Sequence, residues 1–108
     1  MSREIKFRAW DITNQMWLKR FNANLLNIGD LSNVEINQYT GLKDIAGDEI
    51  YEGDIVRDVS DGIVGYIEYS DGSYVIVYDD ITEKLNADES AYLEVVGNIF
   101  ENPEICCK

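Results

Sequence analysis

Carboxylates dominate the chemistry this chain could offer. It carries 21 Asp and Glu against nine Lys and Arg, and no His. Without an imidazole, no Ser–His or Cys–His nucleophile pair can form, and the commonest metal ligand is missing. The acidic groupings are Asp48-Glu49, Glu52 with Asp54, and Asp79-Asp80. Paired carboxylates can do general acid–base work or hold a hard cation. None of these groupings has the ligand spacing, central glycine and closing glutamate of a calcium loop. Their neighbours are turn-forming residues, so solvated turns and backbone caps are the expected roles. Asp54 follows a glycine at a strand entry, and its side chain is expected to accept from backbone N–H groups of the preceding turn. Gly41, Gly47 and Gly53 recur every six residues. They lack the following helix and the Lys-Ser/Thr of a phosphate-cradling loop, and read as three successive turns. Cys106-Cys107 is a vicinal pair whose basic neighbour is Lys108 alone, which gives a thiolate little help. No residue is assigned a catalytic, cofactor-binding or metal role. No cofactor is expected, and the chain is expected not to be an enzyme.

The charge balance says more about partners than about chemistry. A net charge of −12 argues against direct binding to a nucleic-acid backbone, which needs cations at the phosphates. It permits a basic protein partner. The distribution is uneven. Residues 1–28 hold Arg3, Lys6, Arg8, Lys19 and Arg20 against Glu4 and Asp11, a net of +3 that leaves −15 for the remainder. The basic N-terminal strand is therefore expected beside acidic strands of its own fold; the rival expectation is docking on another copy, a homo-oligomer. No hydrophobic leader or membrane-length apolar run is present, and two terminal cysteines staple nothing. A reduced, cytoplasmic setting is expected, with no membrane contact.

At 108 residues the chain is expected to be one domain with a real core. Ile5 to Trp10 alternates, with Ile5, Phe7 and Ala9 as the apolar face and Lys6, Arg8 and Trp10 opposite. Asp11–Gln15 is a turn and Met16-Trp17-Leu18 a returning strand. Lys19–Ser32 is irregular, with room for a short strand or one helical turn. A strand runs from Val34 to Tyr39 and ends at Thr40-Gly41. Asp44–Gly47 is a tight turn in which Asp44 bonds its own backbone two residues on. After Ile50-Tyr51, Glu52-Gly53 turns into a strand at Asp54–Arg57, and Val59–Gly62 turns again. Asp71-Gly72 is the preferred loop of a type I′ hairpin spanning Ile63–Tyr78. It sets Tyr69 opposite Tyr74, Ile67 opposite Ile76 and Gly65 opposite Tyr78, with Glu68–Val75 and Tyr66–Val77 on the other face. Both faces are apolar, so the hairpin belongs at the centre of the fold. Ile81–Leu85 is a short strand, Asn86–Ser90 an exposed loop, Tyr92–Phe100 a last strand interrupted at Gly97-Asn98, and Glu101–Lys108 a tail. No long segment has a helical period. Trp10, Trp17, Tyr39 and Tyr51 are expected in the core rather than in an exposed binding platform. The fold class is all-β, a small partly open barrel or strongly bent antiparallel sheet, SH3-like in part, with little helix.

Three stretches carry a resemblance. The opening Arg3-Glu4-Ile5-Lys6-Phe7-Arg8-Ala9-Trp10-Asp11, followed by Met16-Trp17, resembles the start of the YopX family of phage and prophage proteins. Gln38-Tyr39-Thr40-Gly41-Leu42-Lys43-Asp44, Gly47 and Ile50-Tyr51-Glu52-Gly53-Asp54-Ile55-Val56 is similar to its central signature. Gly97-Asn98-Ile99-Phe100-Glu101-Asn102-Pro103-Glu104 is similar to its closing motif. Ile45-Ala46 and Asp48-Glu49 depart from the pattern and make the turn more acidic. The resemblance implies a small, mainly β accessory protein of a bacterial virus or prophage, and it carries over no catalytic residue. The expected function is non-enzymatic protein–protein contact with self-association, in the host cytoplasm. The alternative is an acidic mimic of nucleic acid that blocks a basic host protein. A carboxylate metalloenzyme is the weakest reading.

Overall fold

Two antiparallel sheets build the protein. The computed structural model describes residues 5–18, 33–79 and 81–105. The expectations for Lys19–Ser32, Asp80 and Cys106-Cys107 lie outside the described residues. The first sheet has the order β2-β1-β3-β4, with β1 Phe7–Asp11, β2 Met16–Trp17, β3 Val34–Lys43 and β4 Glu49–Tyr51. The second has the order β8-β7-β6-β5-β9, with β5 Asp54–Asp58, β6 Val64–Ser70, β7 Ser73–Val77, β8 Thr82–Lys84 and β9 Leu93–Asn98. One helical turn, α1 Ala87–Ser90, precedes β9. The architecture is all-β and strongly bent, as the turn spacing predicts.

The hairpin β6–β7 forms in the predicted register: Tyr69 opposite Tyr74, Ile67 opposite Ile76, Glu68 opposite Val75, Tyr66 opposite Val77. Asp71 and Gly72 have φ of 51° and 84°, the left-handed pair a type I′ turn needs. β6 is the middle strand of its sheet. A Cβ on Gly65 would lie 2.8 Å from the Val77 carbonyl oxygen and 3.0 Å from the Tyr78 ring, so Tyr78 covers this glycine. The core beneath consists of Ile50, Val56, Ile67, Ile76 and Leu93, with Tyr74, Tyr78, Leu85 and Val95 packed against it. Burial of an aliphatic side chain of this size contributes about 2 kcal/mol, offset by ordering entropy.

Four expectations need correction. Ile5 and Phe7 are exposed, whereas Trp10 is buried and Lys6 and Arg8 are half-buried. The apolar face of this strand is thus not the one that packs inward along its first half. β3 does not stop at Thr40-Gly41. It passes through a register shift between Tyr39 and Lys43, with Gly41 at φ 89°, and so absorbs its glycine as a bulge. Asn86–Ser90 is a capped helical turn rather than an open loop, because the Asn86 side chain accepts from the Glu89 amide and Ser90 is buried. The stretch after Phe100 starts as an anchored turn: the Asn98 side-chain oxygen accepts from the amides of Phe100 and Glu101. A second register shift, between Ile55 and Val56, places the predicted interruption of β9 just before Gly97.

Candidate functional site

Arg8 stands where the first sheet meets the entry to the second. β1 and β3 pair with Arg8 opposite Asn37, and β1 pairs with β2 with Trp10 opposite Trp17, so these four side chains share one face. The guanidinium lies 4.3 Å from the Trp17 ring and 4.7 Å from the Tyr51 ring. Its Nη2 is 2.8 Å from Asp54 Oδ1 and donates to the Glu52 carbonyl at 3.2 Å; its Nε donates to Asn37 Oδ1 at 3.3 Å. A planar cation with a fork of donors suits this mixture of ring faces and oxygens as a lysine would not.

Asp54 is buried and accepts from the Tyr51 amide at 2.8 Å, the backbone-capping role expected of it. Burial, the largest influence, pushes its carboxyl above the usual aspartate range, outweighing Arg8 and the Tyr51 amide; Asp44 pushes the same way. Gly53 closes the corner. A Cβ there would sit 3.3 Å from Asn37 Oδ1 and 3.3 Å from the Phe100 ring, and its φ is 89°. Its amide donates to Ile67 and its carbonyl accepts from Ile99, which ties the turn to β6 and to the closing segment.

The rings continue the cluster. Trp10 packs edge-on to Trp17 at 4.9 Å and stacks on Phe100 at 5.8 Å. Trp17 donates its indole N–H to Glu101 Oε1 at 2.9 Å, and Asn98 Nδ2 donates to the same oxygen at 2.8 Å. These bonds, that of Asn98 first, hold the Glu101 carboxyl below the usual range. Lys6 pairs with Glu49, whose carboxyl is lowered chiefly by that bond. The two described cations of the opening strand, Lys6 and Arg8, are therefore matched by acids of their own fold; Arg3, Lys19 and Arg20 lie outside the described residues.

Trp10 and Tyr39 are core, whereas Trp17 and Tyr51 are half-buried ring walls for Arg8. Asp44 accepts from the Ala46 amide at 2.9 Å, the predicted bond two residues on, and also from the Asp48 amide at 2.8 Å. Its other oxygen accepts from the Val95 amide at 2.9 Å, a link across 51 positions that turn chemistry alone does not show. Glu52 and Asp54 are not a working pair: Asp54 faces Arg8, whereas Glu52 lines a separate groove. Asp79 is exposed. Among the described residues no group of three or more His, Cys, Asp or Glu side chains is placed to hold a metal ion, and no buried side-chain nitrogen or oxygen lacks a partner. Sequence reasoning missed Arg8, Asn37, Asn98 and Glu101; the available signal was a basic residue flanked by aromatics in a chain of excess acid.

The groove has a volume of about 570 Å³. Gln38, Thr40, Leu42 and Glu52 form one wall; Tyr69, Ser73, Tyr74 and Leu85 belong to the other, beside Asn86 and Ala87 at the start of α1. Among the described residues Glu52 is its only charged lining residue.

The cluster draws one group of residues from each of the three stretches singled out in the sequence: Arg8, Trp10 and Trp17; Tyr51 to Asp54; and Asn98 to Glu101. No curated protein matches the chain. The crystal structure of protein EF1440 from Enterococcus faecalis is similar, with a TM-score of 0.75 and 26% identity over 96% of this chain and 99% of that one. The sequence model of the YopX protein family matches residues 23–106, which include the central and closing stretches. The chain belongs to the YopX protein family.

Proposed function

We propose that this is a non-enzymatic phage or prophage accessory protein that acts in the host cytoplasm by protein–protein contact. The observation that carries this reading is an exposed apolar grouping at one end of the second sheet. Ile45, Ile63 and Tyr92 are 54%, 52% and 58% exposed, and Val59 is exposed beside them. Backbone bonds bring them to the same end: Ile45 N–H donates to the Leu93 carbonyl, Val59 N–H to the Tyr92 carbonyl, and Asp58 N–H to the Ile63 carbonyl. Apolar groups gathered outside a satisfied polar framework mark contact surfaces more often than catalytic ones. The best-placed buried acids, Asp44 and Asp54, are already occupied by backbone amides and Arg8. No helix of the described residues is long and apolar enough to cross a membrane.

Self-association draws on these apolar groups, since Lys6 and Arg8 are spent inside the fold. The test is a photo-crosslinking residue placed at Tyr92 in the bacterial host, with exposed Thr82 as control. A discrete adduct from position 92 and none from position 82 is expected; an adduct of two chain masses identifies a second copy. Absence of any adduct at 92 overturns the reading.

The acidic-mimic reading is favoured by one observation. Burial first, then the charges of Glu83, Glu89, Asp58 and Asp61, push the Tyr78 phenol up to about 12. Carboxylates gathered near one side chain, as Glu83, Glu89, Asp58 and Asp61 are near Tyr78, attract basic surfaces, and salt weakens the attraction. Capture of a DNA-binding host protein that fails to weaken at high salt argues against mimicry.

A further inference from the structure

The Arg8 cluster shows how this chain holds an arginine: one carboxylate, Asp54, and two aromatic rings, Trp17 and Tyr51. The groove beside β3 is lined by the same kinds of group, Glu52 with the rings of Tyr69 and Tyr74, and among the described residues by no Lys or Arg. The geometry points to a binding site for an arginine side chain on an extended segment of a basic partner protein. This inference rests on the reading of the chain as a contact protein and names the partner's chemistry.

The site is held in place before any partner arrives. The Glu52 amide donates to the Gln38 carbonyl at 3.0 Å, and the Glu52 carbonyl accepts from Arg8 at 3.2 Å. Glu52 Oε1 accepts from the Gln38 amide at 3.3 Å. Tyr69 is 52% exposed, and its ring meets Tyr74 edge-on at 5.1 Å and 70°, a pairing fixed by the hairpin register. A guanidinium stacks on such rings and bonds a carboxylate through a planar fork; an ammonium does neither as well. A basic foreign partner fits better than a second copy, which would bring the same net charge of −12 to an acidic site. The net charge of −12 would speed the approach of a basic chain.

The test is a titration of the isotope-labelled protein with acetyl-Gly-Arg-Gly-amide, followed by amide chemical shifts, with Lys and Glu peptides of the same form as controls. The arginine peptide is expected to shift amides at Tyr69, Ser73, Tyr74 and Ala87, the lysine peptide to bind more weakly, and the glutamate peptide not at all. Glu52→Gln keeps an oxygen for the Gln38 amide and removes the charge, so it should fold unchanged yet weaken binding about tenfold. Tyr69→Ala should weaken it as well. Shifts scattered over the acidic surface, or binding that Glu52→Gln leaves unaltered, would overturn the inference. So would light scattering that shows the peptide dissociating a dimer, which would make the occupant a second copy. Tyr92 does not line this groove, so the peptide result and the crosslinking result fail independently.

Discussion

The β6–β7 hairpin and the Arg8 cluster are held by opposite strategies. The hairpin is local. A two-residue turn sets its register, neighbouring residues supply its partners, and apolar burial supplies its stability. The cluster is non-local, with Arg8 reaching Asn37, Glu52 and Asp54 across 29, 44 and 46 positions in sequence. Its stability depends on a buried charge having its partner. Local apolar structure loses stability in small steps as atoms are removed. A buried ion pair loses it abruptly, because the surviving charge is stranded.

The strongest test of this contrast is Arg8→Ala. It leaves Asp54 buried without its cation and removes the group between Trp17 and Tyr51. A loss of about 4 kcal/mol in urea unfolding is expected, together with a red shift of tryptophan emission as Trp17 becomes hydrated. A loss under about 1 kcal/mol would place the pair among weak surface bridges and break the comparison.

Gly65→Ala probes the hairpin. Its new methyl group would meet the Val77 carbonyl oxygen at 2.8 Å, backbone that cannot swing away. Overpacking of this kind costs about 2 kcal/mol. Gly72→Ala is smaller: nothing lies within 4 Å of the added Cβ, so only the left-handed backbone at φ 84° is penalised. About 1 kcal/mol is expected, with the tryptophan emission of the folded state unchanged. A shifted emission from either variant would show that the two regions are coupled.

The same contrast explains what was legible in the sequence. Asp71-Gly72 specifies the turn, the turn specifies the register, and alternation does the rest; Tyr69–Tyr74 and Ile67–Ile76 follow with no tertiary knowledge. Asp44 and Asp54 were legible as caps because capping is also local. The inward face of β1 was not. Ile5 and Phe7 satisfy the alternation rule, yet Arg8 is drawn inward by an acid, two rings and a carbonyl whose positions depend on the whole topology. β3 runs past Thr40-Gly41 for a related reason: pairing with β4 tolerates a bulge that a glycine suggests will end the strand. Asn86 was legible as polar, but its capping role depended on a helical turn too short to leave a periodic signal.

The subtlest test is the sign of the pH dependence. Glu49 and Glu101 have carboxyls lowered by folding, by Lys6 and by Asn98 with Trp17. Their contribution is present above the ordinary glutamate value of 4.5 and is lost as pH falls through the lowered folded values. Asp54 is raised by burial, so its contribution has the opposite sign. It is fully present below the ordinary aspartate value of 3.8 and is lost as pH rises through the raised folded value. Unfolding free energies measured in urea across this range should separate the two. Glu101→Gln should flatten the acid side of the wild-type profile. Asp54→Asn should remove the decline on the higher side, whatever it does to the absolute stability through Arg8. If Asp54→Asn instead flattened the acid limb, Arg8 would outweigh burial at Asp54, and the cluster would behave as an ordinary stabilising ion pair.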